Sequence, residues 1–306
     1  MFQKAESVHL LLLQVLFLIY INDLAELFGT GLSVKLFADD VKIYAVINDI
    51  NDVNAFQAGL DTLVQWSVDW QLSISLHKCS VLHLGRKNAC NSYQVDGVTL
   101  PNVHEVTDLG ILIDSNLRFT KHYRFIANKA QHRASLILRT FRSRDPFLLF
   151  KAFTTYVRPL LDYCSPVWAP VYKNDIELIE RVQRSFTKRL IGFKNLSYDE
   201  RLRLLQSDSL EIRRLKFDLV MIFKVIHNFV DINIDDFFGF TNYNVTRGHD
   251  FKLCKPLCNN NARQFSFACR RIDVWNSLPA NVVNSPTVNI FKSVLNKVNF
   301  KNVCNY

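Results

Sequence analysis

Apolar and polar residues alternate along two short stretches of the chain, 32–36 and 41–44. An alternation with a period of two is typical of strands that bury one face. The residues between the stretches, Ala38, Asp39 and Asp40, then occupy the tip of a hairpin. The pattern therefore predicts a β-hairpin that carries two adjacent carboxylates at its turn.

Apolar residues at a spacing of three and four predict helices over much of the remaining chain. Residues 51–70 are predicted to form an amphipathic helix, and further helices are predicted between residues 202 and 226. Two more helices combine an apolar face with many lysines and arginines. Their apolar positions are Ile126, Ala130, Ala134, Ile137, Leu138 and Phe141 in the first, and Ile176, Ile179, Val182, Phe186 and Leu190 in the second.

Short strands are predicted between the first helix and the two basic helices. Residues 81–84 and 109–113 are the strand candidates, and Asp96-Gly97 between them is a strong signal for a two-residue hairpin turn. Residues 244–261 are rich in polar side chains and are predicted to form a loop. Together these elements predict an α+β fold.

Charge adds a class of partner to this picture. The chain has 306 residues, of which 49% are hydrophobic, so it can bury a substantial core in about two domains. Its formal net charge is +9. The positive excess is local, because residues 121–216 contain 20 Lys and Arg against 9 Asp and Glu, while the remaining residues contain 17 against 19. Such a basic segment indicates polyanionic partners.

Asp39 and Asp40 are the candidate catalytic residues. Carboxylates at a hairpin tip can project beyond the sheet edge, where oxygen ligands of Mg²⁺ or Mn²⁺ can meet incoming phosphates. Two such ions, about 3.5–4 Å apart, stabilise the attacking and leaving oxygens of a phosphoryl transfer. Taken alone, an Asp-Asp pair is more often an ordinary solvated turn, because aspartate hydrogen-bonds to its own backbone. The motif must therefore be judged with its surroundings.

The surrounding sequence resembles a known family. Phe17-Leu-Ile-Tyr-Ile-Asn-Asp-Leu24 precedes the acidic pair, and Leu76-His-Lys-Cys79 and Thr107-Asp-Leu-Gly-Ile-Leu-Ile-Asp114 follow it. In this order and spacing, the chain resembles the reverse transcriptase of LINE-type (non-LTR) retrotransposons, most closely the jockey-like branch. The likeness extends to Leu295. Its later segments are Tyr156–Tyr163, Thr246–Gly248 and Val274–Pro279.

The resemblance implies an RNA-directed DNA polymerase whose partners are an RNA template, a DNA primer and deoxynucleoside triphosphates. Phe37 to Asp40 match the family's (F/Y)ADD box, with Asp39 as a metal ligand and Asp40 as its acidic neighbour. The implied cofactor is Mg²⁺ or Mn²⁺, bound by both residues. Lys78 lies in a segment similar to the family's lysine motif near the incoming triphosphate, and it completes the implied catalytic set. Leu109-Gly110 is similar to the start of the primer-grip hairpin.

By the same resemblance the chain divides into three parts. Residues 1–119 are an incomplete polymerase palm, an antiparallel hairpin sheet with packing helices; 120–197 are a basic helical thumb; 198–306 are a mainly helical C-terminal region. A thumb grips the backbone of the template-primer without reading its bases. The alternative is that these helices only present a solvated charged surface. The residues predicted to contact nucleic acid are Lys129, Arg133, Arg139, Arg181, Arg184, Lys188 and Arg189.

Part of the family's active site is not recognisable. The fingers, another metal-binding Asp and the Gln-Gly segment of the nucleotide pocket are expected before Phe17, and the sixteen preceding residues do not match them. Losing one carboxylate can empty or misplace a metal, because Mg²⁺ requires octahedral geometry and has few protein ligands. The chain is therefore expected to be inactive as a polymerase by itself. Two alternatives remain open: a non-catalytic module that binds RNA or DNA, and a vestigial product of a decayed element.

The seven cysteines are odd in number and widely spaced, which indicates a reducing compartment rather than a disulfide scaffold. Cys254 and Cys258 have a spacing suitable for zinc, but only His249 and Cys269 are at hand as further ligands, so a zinc site is disfavoured. Arg247, Arg270, Trp275 and Pro279 are predicted to fix a turn and a small core rather than to contact nucleic acid.

The N-terminal residues 10–21 loosely resemble the apolar core of a signal peptide. They are too few to span a bilayer, and no small-residue cleavage site follows them. A buried palm helix is the favoured interpretation. The sequence predicts an intracellular protein of the nucleus or cytoplasm that has no membrane partner.

Overall fold

The computed structural model describes residues 12, 15–29, 31–85, 88–241 and 248–300. The chain is divided into two units. Unit 1 consists of Met1–Val106 with Asp114–Asn116, and unit 2 consists of Thr107–Ile113 with Leu117–Tyr306. Helices and small sheets are present, which confirms the predicted α+β class. The three-part division into palm, thumb and C-terminal region stays a prediction.

Unit 1 is built from short strands and one long helix. Its strands are β1 Ser33–Phe37, β2 Asp40–Tyr44, β3 Val81–Leu82, β4 Gln94–Val95, β5 Val98–Thr99 and β6 Asn102–Val103; its helix is α1 Ile50–Asp69; and its 3₁₀ turns are Asn22–Glu26 and Leu76–Lys78. β1 pairs with β2 and β4 with β5 in antiparallel fashion, whereas β3 and β6 are parallel. Each sheet described here has two strands, so the predicted hairpin sheet is one of several small sheets.

Helix α1 organises the interior of unit 1. Asp49 begins it with a capping box, in which the Asp49 side chain accepts from the backbone N–H of Asp52 and the Asp52 side chain accepts from that of Asp49. One part of the helix packs through Leu60 against Tyr93 and Val95 of the β4 region. Further along, Trp66 packs in a second cluster with Ile21 and Leu24, which Leu36 of β1 also joins. The helix therefore fixes the base of the β1–β2 hairpin.

The turn chemistry explains where predicted strands were correct and where they were wrong. Asp96 and Gly97 both adopt left-handed φ angles and join β4 to β5, as the sequence predicted. Leu109 and Gly110 do the same between β7 Glu105–Asp108 and β8 Ile111–Asp114. The predicted strand 109–113 therefore begins two residues too early, because its first residues form the turn.

The N-terminal helix is less buried than predicted. Residues 15–21 are helical and lead into the 3₁₀ turn at Asn22, whereas the start of the predicted segment lies outside the described residues. Ile21 is buried, but Leu16, Leu18 and Ile19 are exposed. The prediction of a buried helix is thus wrong for this segment, because the cluster beneath it receives Phe17 and Ile21 and leaves the other faces exposed.

Unit 2 is mainly helical. Its helices are α2 Thr120–Thr140, α3 Pro146–Tyr156, α4 Arg158–Asp162, α5 Ser165–Trp168, α6 Lys173–Lys188, α7 Tyr198–Leu204, α8 Leu210–Ile226, α9 Asn261–Gln264, α10 Phe267–Arg270, α11 Ile272–Asn276, α12 Ala280–Val283 and α13 Val288–Leu295; a 3₁₀ turn covers Ile234–Asp236; its further strands are β9 Gly239–Phe240 and β10 Leu253–Cys254. The β7–β8 hairpin contributes residues to both units. None of the helices described combines the length and apolarity needed to cross a membrane.

Two hydrophobic cores fill unit 2. The first extends from Ile111 through α2, α3 and α6 to Leu210 at the start of α8. The second begins at Leu215, also on α8, and includes the C-terminal helices up to Phe300. Helix α8 thus contributes residues to both cores, so its position affects the packing of each.

A buried ion-pair cluster holds the second core to α8. Asp218 of α8 is fully buried and accepts two hydrogen bonds from the guanidinium of Arg270 and one from Arg271. Arg270 also donates to the carbonyl oxygen of Pro166 at 2.6 Å. Trp275 is fully buried nearby in sequence. The structural role predicted for Arg270 and Trp275 agrees with these contacts, whereas Arg247 lies outside the described residues.

A second buried carboxylate fixes the start of α8. Glu180 of α6 is fully buried and accepts hydrogen bonds from the backbone N–H groups of Leu210 and Glu211 at 3.0 and 3.1 Å. The hydroxyl of Tyr198 on α7 donates to the same carboxylate. A negative charge at the N-terminus of a helix is favourable, because the helix dipole is positive there. One carboxylate thus joins three helices.

Replacing Glu180 with alanine is expected to lower the free energy of unfolding by about 3–5 kcal/mol, since it leaves two buried backbone N–H groups and the partly buried Tyr198 hydroxyl without their acceptor. Urea denaturation followed by circular dichroism measures this loss. Glu177→Ala, three residues earlier on α6 and partly exposed, is the matched control and should change stability by less than about 0.5 kcal/mol. Equal losses in the two variants would contradict the role of Glu180.

Stability is also expected to fall on acidification, because of His122. This residue of α2 is 2% exposed, and its Nδ1 accepts the backbone N–H of Leu112 at 3.2 Å. Burial lowers the pKa of His122. The unfolded chain therefore binds more protons than the folded chain below about pH 6.5, and stability present above that pH is lost as the pH falls towards the lowered folded value.

Melting temperatures measured between pH 7.5 and pH 5.5 test this linkage. His122→Asn keeps an oxygen acceptor for Leu112 and removes the titrating ring, so its melting temperature should vary less with pH than that of the unaltered chain. His132→Asn, at an exposed position of the same helix, is the control and should preserve the original pH dependence. A His122 variant with unchanged pH dependence would exclude this explanation.

Candidate metal site and nucleic-acid interface

The acidic pair lies at a two-residue turn. β1 and β2 pair up to Phe37 and Asp40, so Ala38 and Asp39 form the turn and Asp40 is the first residue of β2. The prediction placed Asp40 at the tip itself, one residue away from its observed position. Ala38 has a φ of 51°, which lies in the left-handed region, and this conformation reverses the chain within two residues. Asp39 and Asp40 are both exposed.

Register decides which way the hairpin faces. Leu36 lies opposite Val41, and Val34 opposite Ile43, so these pairs share one face. On that face, Leu36 packs in the cluster that contains Trp66, and Ile43 packs in the cluster that contains Leu60. Asp40 and its partner Phe37 belong to the opposite face and are exposed. Packing of Leu36 and Ile43 on one face therefore directs the Asp40 side chain to solvent.

The acidic pair has the donor chemistry that Mg²⁺ or Mn²⁺ requires, since both ions prefer carboxylate oxygens. The described residues contain no group of three or more His, Cys, Asp or Glu side chains that could hold a metal ion. Mg²⁺ is commonly held by one or two carboxylates together with water and substrate phosphates. The pair therefore fits part of a metal site, and its remaining ligands must come from other groups.

Lys78 belongs to the same unit. It ends the 3₁₀ turn Leu76–Lys78, where its backbone N–H donates to the carbonyl oxygen of Ser75, and its side chain is exposed. The flanking residues Leu76 and Cys79 pack in the same hydrophobic cluster as Ile43 of β2. The lysine is thus carried on a turn that shares its packing with the acidic hairpin, although neither acid forms an ion pair with it in the part of the chain described.

Sequence reasoning assigned no role to Asp23 in the 3₁₀ turn ahead of β1. Its Oδ1 atom is buried and has no hydrogen-bond partner among the described residues. The adjacent Leu24 packs with Leu36 of β1, so this carboxylate lies at the base of the hairpin region. An orphaned buried oxygen is a feature of packing, and no sequence pattern signals it.

Helix α2 presents its basic residues as predicted. Ile126, Ala130, Ala134 and Ile137 are buried, which confirms the apolar face. Lys129, Arg133 and Arg139 are exposed on the remaining surface. Lys129 lies over the ring of Phe125, at 5.7 Å from its centroid, and Arg133 donates to the carbonyl oxygen of Tyr156 at 3.2 Å.

Helix α6 divides its basic residues between surface and interior. Its predicted apolar positions are buried, as is Leu190 just beyond its end. Arg181 and Lys188, two turns apart, are exposed, and so is Arg189. Arg184 is different: it is partly buried, and its guanidinium lies 5.1 Å from the centroid of the Tyr198 ring. This stacking orients Arg184 towards α7.

The positive excess of residues 121–216 lies mainly on exposed side chains. Six basic side chains of this segment are buried or partly buried, and four acidic ones lie among them. The basic residues are Arg158, Arg184, Arg201, Arg213, Arg214 and Lys216, and the acidic residues are Asp162, Glu180, Asp208 and Glu211. The other fourteen Lys and Arg side chains of the segment are exposed.

The residues considered for zinc have other neighbours. Nε2 of the buried His249 lies 3.1 Å from the carbonyl oxygen of Trp275. Cys254 is exposed on β10, and the sulfur atoms of Cys258 and Cys269 contact each other. Of the four candidate zinc ligands, the structure brings Cys258 and Cys269 into contact.

Comparison with known proteins gives matches over part of the chain. No family model matches it, and no solved structure matches it significantly. An uncharacterized protein of Caenorhabditis elegans is 33% identical over 128 residues, which are 41% of this chain and 63% of that protein. RNA-directed DNA polymerases from mobile element jockey of Drosophila funebris and Drosophila melanogaster are 24% and 22% identical over 164 residues.

The two polymerase matches cover 52% of this chain but 18% of each polymerase. The chain therefore spans less than two thirds of each of these relatives. The jockey-like subtype and the assignment of the chain to one part of a polymerase stay predictions. The partial similarity supports a relationship to reverse transcriptases.

Proposed function

We propose that this chain is part of a non-LTR retrotransposon reverse transcriptase, the part that grips the template-primer backbone and supplies two metal ligands. The observation that carries the proposal is the exposed turn Ala38–Asp39, followed directly by Asp40, at the end of a hairpin whose other face is partly buried. Similarity to two RNA-directed DNA polymerases supports it. An intracellular location is part of the same proposal.

The reaction proposed for the complete enzyme is a nucleotidyl transfer, in which a primer hydroxyl attacks a deoxynucleoside triphosphate and pyrophosphate leaves. Asp39 and Asp40 would hold Mg²⁺ or Mn²⁺, which when bound neutralises charge on the attacking and leaving oxygens. Lys78, with its exposed ammonium group, would attract the triphosphate. By itself the chain is proposed to be inactive, because no third ligand accompanies the acidic pair among the described residues.

The basic surface is proposed to contact phosphates without reading bases. Six of the seven predicted contact residues are exposed, and they lie on or directly after the two helices whose opposite faces fill the first core. Neutralising phosphates releases counterions, so affinity should decrease steeply with salt. A non-catalytic binding module would show the same dependence on salt.

The purified chain is expected to give no primer extension with an RNA template, a DNA primer, deoxynucleotides and Mg²⁺. Electrophoresis of the labelled primer measures this. Extension by the unaltered chain that Asp39→Ala abolishes would overturn the proposed inactivity and confirm the metal site. Binding of the template-primer duplex, measured without Mg²⁺, should be the same for Asp39→Ala and the unaltered chain. A carboxylate makes no favourable contact with phosphates in the absence of a metal.

Binding measured by fluorescence anisotropy between about 50 and 200 mM salt tests the basic surface, because log affinity falls linearly with log salt where phosphates are neutralised. Arg181→Ala should lower the slope of log affinity against log salt by about 1, the value for one phosphate contact. Lys292→Ala, at an exposed position of α13, is the charge-matched control and should leave the slope unchanged.

Arg184→Ala gives a second comparison on the same helix. Because the Arg184 guanidinium stacks on Tyr198 and is partly buried, this variant should lower the melting temperature more than Arg181→Ala does. Its salt slope should change less. Identical slopes for Arg181→Ala, Lys292→Ala and the unaltered chain would show that the helices present only a solvated surface.

A further inference from the structure

Two thiols of unit 2 are in contact although eleven positions separate them in sequence. Cys258 lies in the irregular segment between β10 and α9, and Cys269 lies in α10. Their Sγ atoms are 3.7 Å apart, and both are free thiols. The fold therefore holds a dithiol at van der Waals contact, which the function proposed above does not use.

The two thiols differ in access to solvent. Cys258 is partly exposed, whereas Cys269 is 4% exposed and fills part of the interior. Burial, together with the contact with Cys258, raises the pKa of the Cys269 thiol. A small reagent can thus reach Cys258, while Cys269 is shielded and stays protonated to a higher pH.

Among the described residues, no further metal ligands lie next to the two thiols. His249 directs Nε2 to the carbonyl oxygen of Trp275, and within the residues described no third His, Cys, Asp or Glu joins the pair in a group able to hold a metal. Structural zinc requires four ligands in tetrahedral geometry. Two thiols without further ligands are suited instead to oxidation with each other.

We propose that Cys258 and Cys269 form a reversible disulfide on exposure to a low-molecular-weight disulfide such as oxidised glutathione. The Cys258 thiolate attacks one sulfur of glutathione disulfide, which gives a mixed disulfide and releases one glutathione thiol. The Cys269 thiol then loses its proton and attacks the Sγ of Cys258, which releases the second glutathione as a thiol. The protein loses two hydrogen atoms, and glutathione disulfide is reduced to two thiols.

The geometry requires only a small movement. A disulfide bond is about 2.05 Å long, so the sulfur atoms must approach by about 1.7 Å from their separation of 3.7 Å. The segment carrying Cys258 is irregular, and the adjacent Leu257 is 97% exposed. Rotation of the Cys258 side chain with a slight shift of this segment therefore disturbs little packing.

The cross-link would stabilise the second core of unit 2. Cys269 immediately precedes Arg270, whose guanidinium is bonded to the buried Asp218 of α8. Joining Cys258 to Cys269 would attach the irregular segment to this ion-pair cluster and restrict the unfolded chain. The melting temperature is expected to rise by roughly 5 °C.

Peptide mapping without reduction tests the proposal on the full chain treated with oxidised glutathione. The main product should contain a bond between Cys258 and Cys269, and dithiothreitol should reverse it. Cys269→Ser should stop at the mixed disulfide between Cys258 and glutathione, whereas Cys258→Ser should give no cross-link to Cys269. Cys254→Ser, at an exposed cysteine four residues earlier, is the control and should retain the bond.

Treating the chain with oxidised glutathione in guanidinium chloride shows whether the fold, rather than random collision, selects this pair of cysteines. This control needs no variant. The Cys258–Cys269 bond should predominate in the folded chain and should be one of many pairings in the unfolded chain. The proposal is overturned if the folded chain accumulates only mixed disulfides, or if Cys258 or Cys269 pairs preferentially with another cysteine.

Discussion

The buried carboxylate of Glu180 is the interaction on which the arrangement of unit 2 depends. It accepts hydrogen bonds from the first residues of α8 and from Tyr198 of α7, so it joins the basic helix α6 to both. Helix α8 then contributes to both hydrophobic cores. Because a buried carboxylate without donors is costly, these contacts specify one position of α8 relative to α6. The orientation of the exposed basic side of α6 therefore depends on the buried hydrogen bonds of Glu180.

Unit 2 separates its charges by the same principle. Several acids and bases in the interior are engaged with one another or with the backbone, as in the pairing of Asp218 with Arg270 and Arg271. The Lys and Arg side chains of α2 and, apart from Arg184, those of α6 are exposed. A surface of this kind suits a partner with a regular array of phosphates, which explains why the proposed contact is with a nucleic-acid backbone rather than with particular bases.

The acidic hairpin follows a different constraint. Its position depends on packing of one strand face against α1, and this packing leaves the other face and the turn open to solvent. Exposure makes Asp39 and Asp40 accessible to the proposed metal and substrate, but it provides no further ligand. The proposed polymerase activity would therefore depend on groups beyond this pair, whereas the proposed phosphate contacts would not.

The sequence by itself determined the period-2 hairpin, the Asp96-Gly97 turn and the buried faces of α2 and α6, because these features depend on local periodicity and on residues that tolerate left-handed φ angles. It also indicated a relationship to reverse transcriptases, which the partial similarity supports. Only the tertiary structure decided that Arg184 stacks on Tyr198, that Leu109 belongs to a turn and that Leu16, Leu18 and Ile19 remain exposed. The contact between Cys258 and Cys269 was equally invisible in the sequence. Each of these depends on which distant residues meet, and packing between elements, not the spacing of residues along one element, determines that.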